Sequence, residues 1–378
     1  MRRRLLSLLL VSMLVGATVP SPTLGRQQLA GASGEGRIAF ASNLAQPNTG
    51  SFDLYAVGAD GTDLTRLTSF GDEGMEARAP TWAPDGSRIA FGGRDISQAG
   101  MGIYLMEADG GNVFQLFDPG DCNDYDFFEW HGPAWAPDGT RLAFAADRER
   151  RCGQGVRPDL YLADASGANV TRLTTLAEQG DSTWMPDWSP DGSQVVFVSG
   201  PSDAIGHCYV VPAAGGDPTP LGTSDAGCFF PAWSPDGTQI AVVGPDGIGL
   251  VPAAGGEVTD LMAIASGLVW DQAWSPDGTK LLFEKLEIPA EGEEYGPSPV
   301  YVLDVATGAV TTIATNSAFA VAPAWSPDGS RIVFAGRLDG QPGTDLYTVA
   351  SDGTDSVRVT TVGDDGAIVS GPAWDPAA

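Results

Sequence analysis

Imidazole chemistry has little to draw on in this chain of 378 residues, which holds two histidines, His131 and His207. Glu129, two positions before His131, offers one acid/base pair. The HExxH zinc motif, the phosphate-binding P-loop and the GxSxG nucleophile elbow are all absent. Oxygen ligands cluster in "DPGDCNDYD", where Asp121, Asn123, Asp124 and Asp126 could surround a calcium ion. That stretch lacks the EF-hand glycine and spacing, and a solvated acidic loop accounts for it equally. No other cofactor or metal is indicated. A different set is aromatic and acidic: Trp130, His131, Trp184, Asp187, Phe229, Phe230, Trp270 and Asp271. Each precedes a recurrent tryptophan by one to five residues. Such residues together can hold a sugar, a cationic group or a peptide side chain. They can equally form an apolar plug.

What positions them is a repeat. "PTWAPDGSRIAF" from Pro80 returns as "PAWAPDGTRLAF" from Pro133, "PDWSPDGSQVVF" from Pro186 and "PAWSPDGTQIAVV" from Pro231. It returns again as "QAWSPDGTKLLF" from Gln272 and "PAWSPDGSRIVF" from Pro323, and "PAWDPAA" from Pro372 breaks off. The tryptophans are Trp82, Trp135, Trp188, Trp233, Trp274, Trp325 and Trp374, at intervals of 41 to 53 residues. A β-rich repeat of that period signals a propeller. Each unit reads as a short strand, a PDG turn, an alternating strand such as Arg88–Phe91, a third strand such as Asp53–Val57, and a fourth such as Leu64–Thr68. The first unit lacks its tryptophan strand, and the last tryptophan strand lacks the rest of its unit. Together they complete one blade. The expectation is an all-β, seven-bladed propeller of four-stranded antiparallel blades, closed by the C-terminal strand entering the N-terminal blade.

The pattern "PxWSPDGxxIAF…DLYxxxxDGxxxxRLT" resembles the TolB-type (WD40-like) β-propeller repeat, over about residues 36–376. That resemblance implies the fold more than a role, because such propellers serve as scaffolds, binding modules and enzyme frames. TolB itself carries an α/β domain before a six-bladed propeller. Here the expected blades number seven, and nothing comparable fits before residue 36. Related propellers precede serine-peptidase domains or form lyases with histidine-rich metal sites, neither of which two histidines and no domain after Trp374 would support. The expected role is non-catalytic binding of a protein, glycan or peptide. The alternative is a propeller enzyme, a polysaccharide lyase or hydrolase-like, with its site in the channel mouth.

Turn chemistry also sorts the loops. The PDG and DG turns are short and share one face, while the other connections vary and share the opposite face, where function usually sits. The recurrent tryptophans read as wedges between blades, and Asp85, Asp138, Asp191, Asp236, Asp277 and Asp328 as turn residues bonding back to backbone. Four cysteines, with no CxxC, favour disulfides in an exported chain. The repeat map pairs Cys122 with Cys152 and Cys208 with Cys228, each joining loops on the variable face. Arg2–Arg4, the apolar run Leu5–Val15 and the small residues from Ala17 to Gly25 read as a signal peptide over 1–25, cut between 17 and 25, with a linker over 26–35. No apolar run long enough to span a membrane follows. The expected location is secreted or periplasmic, in the cell envelope or beyond it, as a monomer. A net charge of −28 and two lysines, Lys280 and Lys285, argue against nucleic acid as a partner.

Overall fold

The computed structural model describes residues 36–47, 50–95, 102–118, 132–146, 157–201, 206–222, 227–263, 268–286, 299–313, 319–337 and 340–377. The leader and linker expected over 1–35 lie outside them. Seven four-stranded antiparallel sheets account for every strand described. Blade 1 is built from both ends of the chain: Val369–Trp374 is its inner strand, followed outward by Arg37–Ser42, Asp53–Gly58 and Thr65–Arg66. Ile38 pairs with Trp374 and Ser42 with Val369, so the ring closes as expected. The inner strands of blades 2 to 7 are Met75–Trp82, Ala134–Trp135, Ser182–Trp188, Phe229–Trp233, Leu268–Trp274 and Phe319–Trp325.

The hairpins form because the PDG turns satisfy themselves. Asp85 Oδ1 accepts from both the backbone N–H and the hydroxyl of Ser87, at 3.0 and 2.6 Å. Asp138, Asp191, Asp236, Asp277 and Asp328 do the same with Thr140, Ser193, Thr238, Thr279 and Ser330. At Asp191, Asp236, Asp277 and Asp328 the hydroxyls of Ser189, Ser234, Ser275 and Ser326 first, and these bonds next, hold the carboxyls below the usual range, and at Asp85 and Asp138 these bonds do so. The aspartates are thus structural, each stabilising its ionised form in a turn.

Alternation along the second and third strands sends side chains into the seams on either side of a blade. Seven buried clusters result, one per seam. In six blades a Phe of the second strand stacks on a Tyr of the third, as Phe40 does on Tyr55 at 5.8 Å and Phe283 on Tyr301 at 5.3 Å. The recurrent tryptophans stitch neighbouring blades together. Six of them donate the indole N–H to the carbonyl of the residue just before the preceding blade's tryptophan: Trp82 to Ala373, Trp135 to Thr81, Trp188 to Ala134, Trp274 to Ala232, Trp325 to Ala273 and Trp374 to Ala324, all at 3.0–3.2 Å. Trp233 breaks this ring, and its buried Nε1 has no partner.

Blades 1, 3 and 7 carry a further lock at the periphery. The first residue of the third strand, Asp53, Asp159 or Asp345, is buried and pairs with Arg66, Arg172 or Arg358 of the outer strand. The same carboxylates accept from the hydroxyls of Thr68, Thr174 and Thr360 and from the backbone at Gly71, Ala177 and Gly363. Each carboxylate therefore ties its outer strand to the 3-10 turn that leads into the next blade. Blade 4 has His207 and Cys208 where blade 1 has Asp53 and Leu54. There the expected Cys208–Cys228 disulfide, with Cα atoms 5.5 Å apart, ties the third strand to the next inner strand. Cys122 and Cys152 lie outside the described residues.

Candidate functional site

Every inner strand except the short one of blade 3 is interrupted by a bulge, as is the closing strand of blade 1. The residue three before the tryptophan takes a left-handed conformation at Ala79, Met185, Phe230, Asp271, Ala322 and Gly371, with φ between 48° and 56°. Five of these are not glycine, a strained choice that the surrounding sheet must hold in place. The bulge bends the strand between its variable-face half and its tryptophan half. The residue just before the tryptophan is small in most blades: Thr81, Ala134, Ala232, Ala273, Ala324 and Ala373. In blade 4 that place is Asp187.

Asp187 reaches across to blade 5, where its Oδ2 accepts the backbone N–H of Trp233 at 2.8 Å. Burial pushes its carboxyl up to about 6, against the opposing pull of the Trp233 and Trp188 N–H groups. Asp271 stands at the bulge of blade 6, so the two expected aspartates occupy different levels of their strands. Asp271 has no hydrogen bond or ion pair among the described residues, and burial pushes it up to about 6 as well. Its neighbour in charge is Glu284 of the second strand, whose residue pairs with Trp270 in the blade 6 ladder. Glu284 is 8% exposed and accepts the backbone N–H of Ala322 from blade 7 at 3.2 Å. Burial first, and the Asp271 charge second, raise its carboxyl well above the ordinary range.

The aromatic residues divide. Trp184 and Phe229 pack against the apolar clusters of the seams between blades 4 and 5 and between blades 5 and 6, the plug-like behaviour. A side chain on Gly206 would come within 3.0 Å of the Trp184 ring, so that indole lies against the start of the third strand, beside the disulfide. Trp270 instead meets Phe230 edge-on at 5.5 Å and leaves its buried Nε1 unpartnered. Trp130, His131 and the calcium candidates Asp121, Asn123, Asp124 and Asp126 lie outside the described residues, as does Glu129. Among the described residues no group of three or more His, Cys, Asp or Glu could hold a metal ion, and no helix is long and apolar enough to cross a membrane.

Two members of this site escaped the reading of the sequence, Gln272 and Glu284. Gln272 replaces the proline that stands two before the tryptophan in every other unit. It donates Nε2–H to the Phe230 carbonyl of blade 5 at 2.6 Å. Glu284 follows the strand's phenylalanine where other units have Ala41, Gly92, Ala145, Val198 or Ala335. Each was visible as a departure from the repeat's own consensus.

A family model for the TolB beta propeller domain matches residues 127–287. Taken with the seven sheets, that match decides the type of fold. Over those residues the chain matches the TolB-type β-propeller. The "Protein TolB homolog" of Chlorobium chlorochromatii is 29% identical over 166 residues, 43% of this chain and 31% of the relative. The matched part of the TolB-type propeller thus spans about a third of that relative. TolB from Acinetobacter baumannii superposes with a TM-score of 0.53 at 21% identity, covering 90% of this chain and 66% of that one. An oligogalacturonate lyase from Vibrio parahaemolyticus superposes with a TM-score of 0.61 at 14% identity, covering 82% of this chain and 85% of that one. At those identities both structures speak for the fold of the TolB-type propeller and not for its chemistry.

Proposed function

We propose that this propeller is an exported, non-catalytic binding module, which takes a protein, peptide or glycan at the channel mouth of the variable face. One observation carries the reading: the side chains that depart from the repeat gather on the inner strands of consecutive blades 4, 5 and 6. Asp187, Phe230, Trp270, Asp271 and Gln272 all lie there, whereas blades 7 and 1 keep Ala322, Pro323 and Ala324 or Gly371, Pro372 and Ala373 at those places, and Glu76 and Arg78 of blade 2 are paired with each other. A fold kept by seven near-identical units has no structural need for them. Chemical cross-linking of the chain to a captured partner, mapped by mass spectrometry, tests the reading. Cross-links should fall on the variable face near Phe230 and Trp270. Cross-links confined to the PDG face or the outer strands would sink it.

A second reading, an enzyme of the polysaccharide lyase or hydrolase kind, draws on the Asp271–Glu284 carboxyl pair, a group of the type that performs acid/base work on glycosidic bonds. Turnover of an acidic or neutral oligosaccharide that is lost in Glu284→Gln would favour it over the binding module.

A further inference from the structure

Blade 6 departs from the repeat at three places that the fold brings together: Asp271, Gln272 and Glu284. Four other buried carboxylates each have a guanidinium, whereas Asp187 is held by the backbone N–H groups of Trp233 and Trp188. Asp53 has Arg66, Asp159 has Arg172, Asp345 has Arg358, and Glu76 has both Arg78 and Arg94. Asp271 and Glu284 have no cation among the described residues. Buried charge without a counter-charge is costly, so the pair must share protons or wait for a partner.

Beside them stand two more unsatisfied groups of opposite kind. Gln272 is 8% exposed, and its amide is anchored by Nε2 to the Phe230 carbonyl while Oε1 has no partner. The indole N–H of Trp270, next in sequence to Asp271, is likewise buried and unpartnered. Native interiors leave few such groups empty, and two of them here, Trp270 Nε1 and Gln272 Oε1, flank the same bulge residue. The inventory is two carboxyls, one amide oxygen, one indole N–H and the Phe230–Trp270 aromatic edge. It matches a cation that brings several N–H donors together with an adjacent carbonyl oxygen.

We propose that blade 6, at its bulge between blades 5 and 7, is a receptor for an ammonium or guanidinium group. Asp271 and Glu284 supply the counter-charge, Gln272 Oε1 takes one N–H of the ligand, and the Trp270 indole donates to a neighbouring carbonyl. This assignment rests on the binding-module reading and names the chemistry of its ligand. The cation comes either from a lysine or arginine side chain of a peptide or from a free amine. Only the peptide supplies the carbonyl for Trp270.

The test follows the Trp270 indole N–H resonance in the full chain, assigned with Trp270→Phe, during titration with four probes. These are N-acetyl-lysine methylamide, N-acetyl-arginine methylamide, the lysine probe acetylated on its side chain, and n-butylammonium. The charged amides should shift the resonance, and Asp271→Asn and Glu284→Gln should each weaken their binding by about tenfold or more. A shift with n-butylammonium as strong as with the amides assigns the site to free amines rather than to a peptide. Equal binding of the acetylated probe, or binding unchanged in both folded variants, overturns the ammonium receptor while the docking reading stands. Absence of binding by all four probes overturns it too. The docking reading falls separately, if cross-linked partners map to the other face. Asp60→Asn, in the exposed turn of blade 1 where Asp60 accepts the Thr62 N–H, leaves blade 6 intact, is the folding and charge control and should bind as the parent chain does.

Discussion

Replacing Asp187 with Asn should stabilise the propeller, and only above a defined pH. The buried carboxyl titrates at about 6 in the folded chain against an ordinary value of 3.8. Below about pH 3 the carboxyl is protonated in both folded and unfolded states, so Asp and Asn should be equivalent there. As pH rises from about 3 to 6 the unfolded chain releases the proton first, and the parent loses stability relative to the variant. Above pH 6 to 7 the difference saturates. The gap between 3.8 and about 6, at about 1.36 kcal/mol per pH unit, caps it at about 3 kcal/mol. Asn can still accept the Trp233 N–H through its amide oxygen, so the variant keeps the cross-blade bond that Asp187 makes. The assay is urea unfolding followed by tryptophan fluorescence at pH 4, 5, 6, 7 and 8 for both chains, read as the difference at each pH. Contributions from Asp271 and Glu284 cancel in that difference. A variant less stable than the parent at pH 8, or a difference that does not change with pH, would refute the reasoning. A gain of the expected size would mean that the parent retains a carboxylate at a cost, as binding sites do.

Reduction of the Cys208–Cys228 disulfide, or its replacement by two serines, should cost about 3 kcal/mol, given the 20-residue separation; chemical unfolding with and without reductant checks it. Asp345→Ala should cost about 2–3 kcal/mol, because it removes one of the two carboxylates on Arg358 and unpins Thr360 and Gly363 together; a loss under 1 kcal/mol in thermal unfolding would contradict the lock. Trp325→Phe should cost about 1–3 kcal/mol through the orphaned Ala273 carbonyl, whereas Trp233→Phe, which removes an N–H that has no partner, should cost less.

The blades were legible because their turns are chemical. Pro, Asp and Gly at fixed places, followed by a Ser or Thr that returns to the Asp, leave one backbone path, and the path recurs at every unit. The Cys208–Cys228 pairing was legible for the same reason, since the unit map put both residues on one face. The site was only half visible. Asp187, Phe230, Trp270 and Asp271 stand close before a tryptophan, where irregularity draws the eye. Glu284 lies on the next strand and meets Trp270 through a hairpin register, and alternation along a strand does not tell which seam a side chain enters. Gln272 was hidden in plain view, as a missing proline. The Asp53–Arg66, Asp159–Arg172 and Asp345–Arg358 locks were written in the DLY phrases and the RLT or RVT phrases. Reading them as ion pairs requires knowing that the third and outer strands are neighbours, a fact of pairing rather than of composition.

The union of Val369–Trp374 with Arg37–Ser42 sets the order in which the molecule can be finished. Blades 2 to 7 each use contiguous chain and can zip as local hairpins, whereas blade 1 must wait for partners more than 300 residues apart. Loop-closure entropy makes that joining the slowest contact to win, so the last event of folding turns an open arc into a ring. Until then the arc has an unpaired strand at Arg37–Ser42 that would accept the corresponding terminal segment of another copy as readily as its own. Dilution during refolding therefore selects between a closed monomer and strand-exchanged chains.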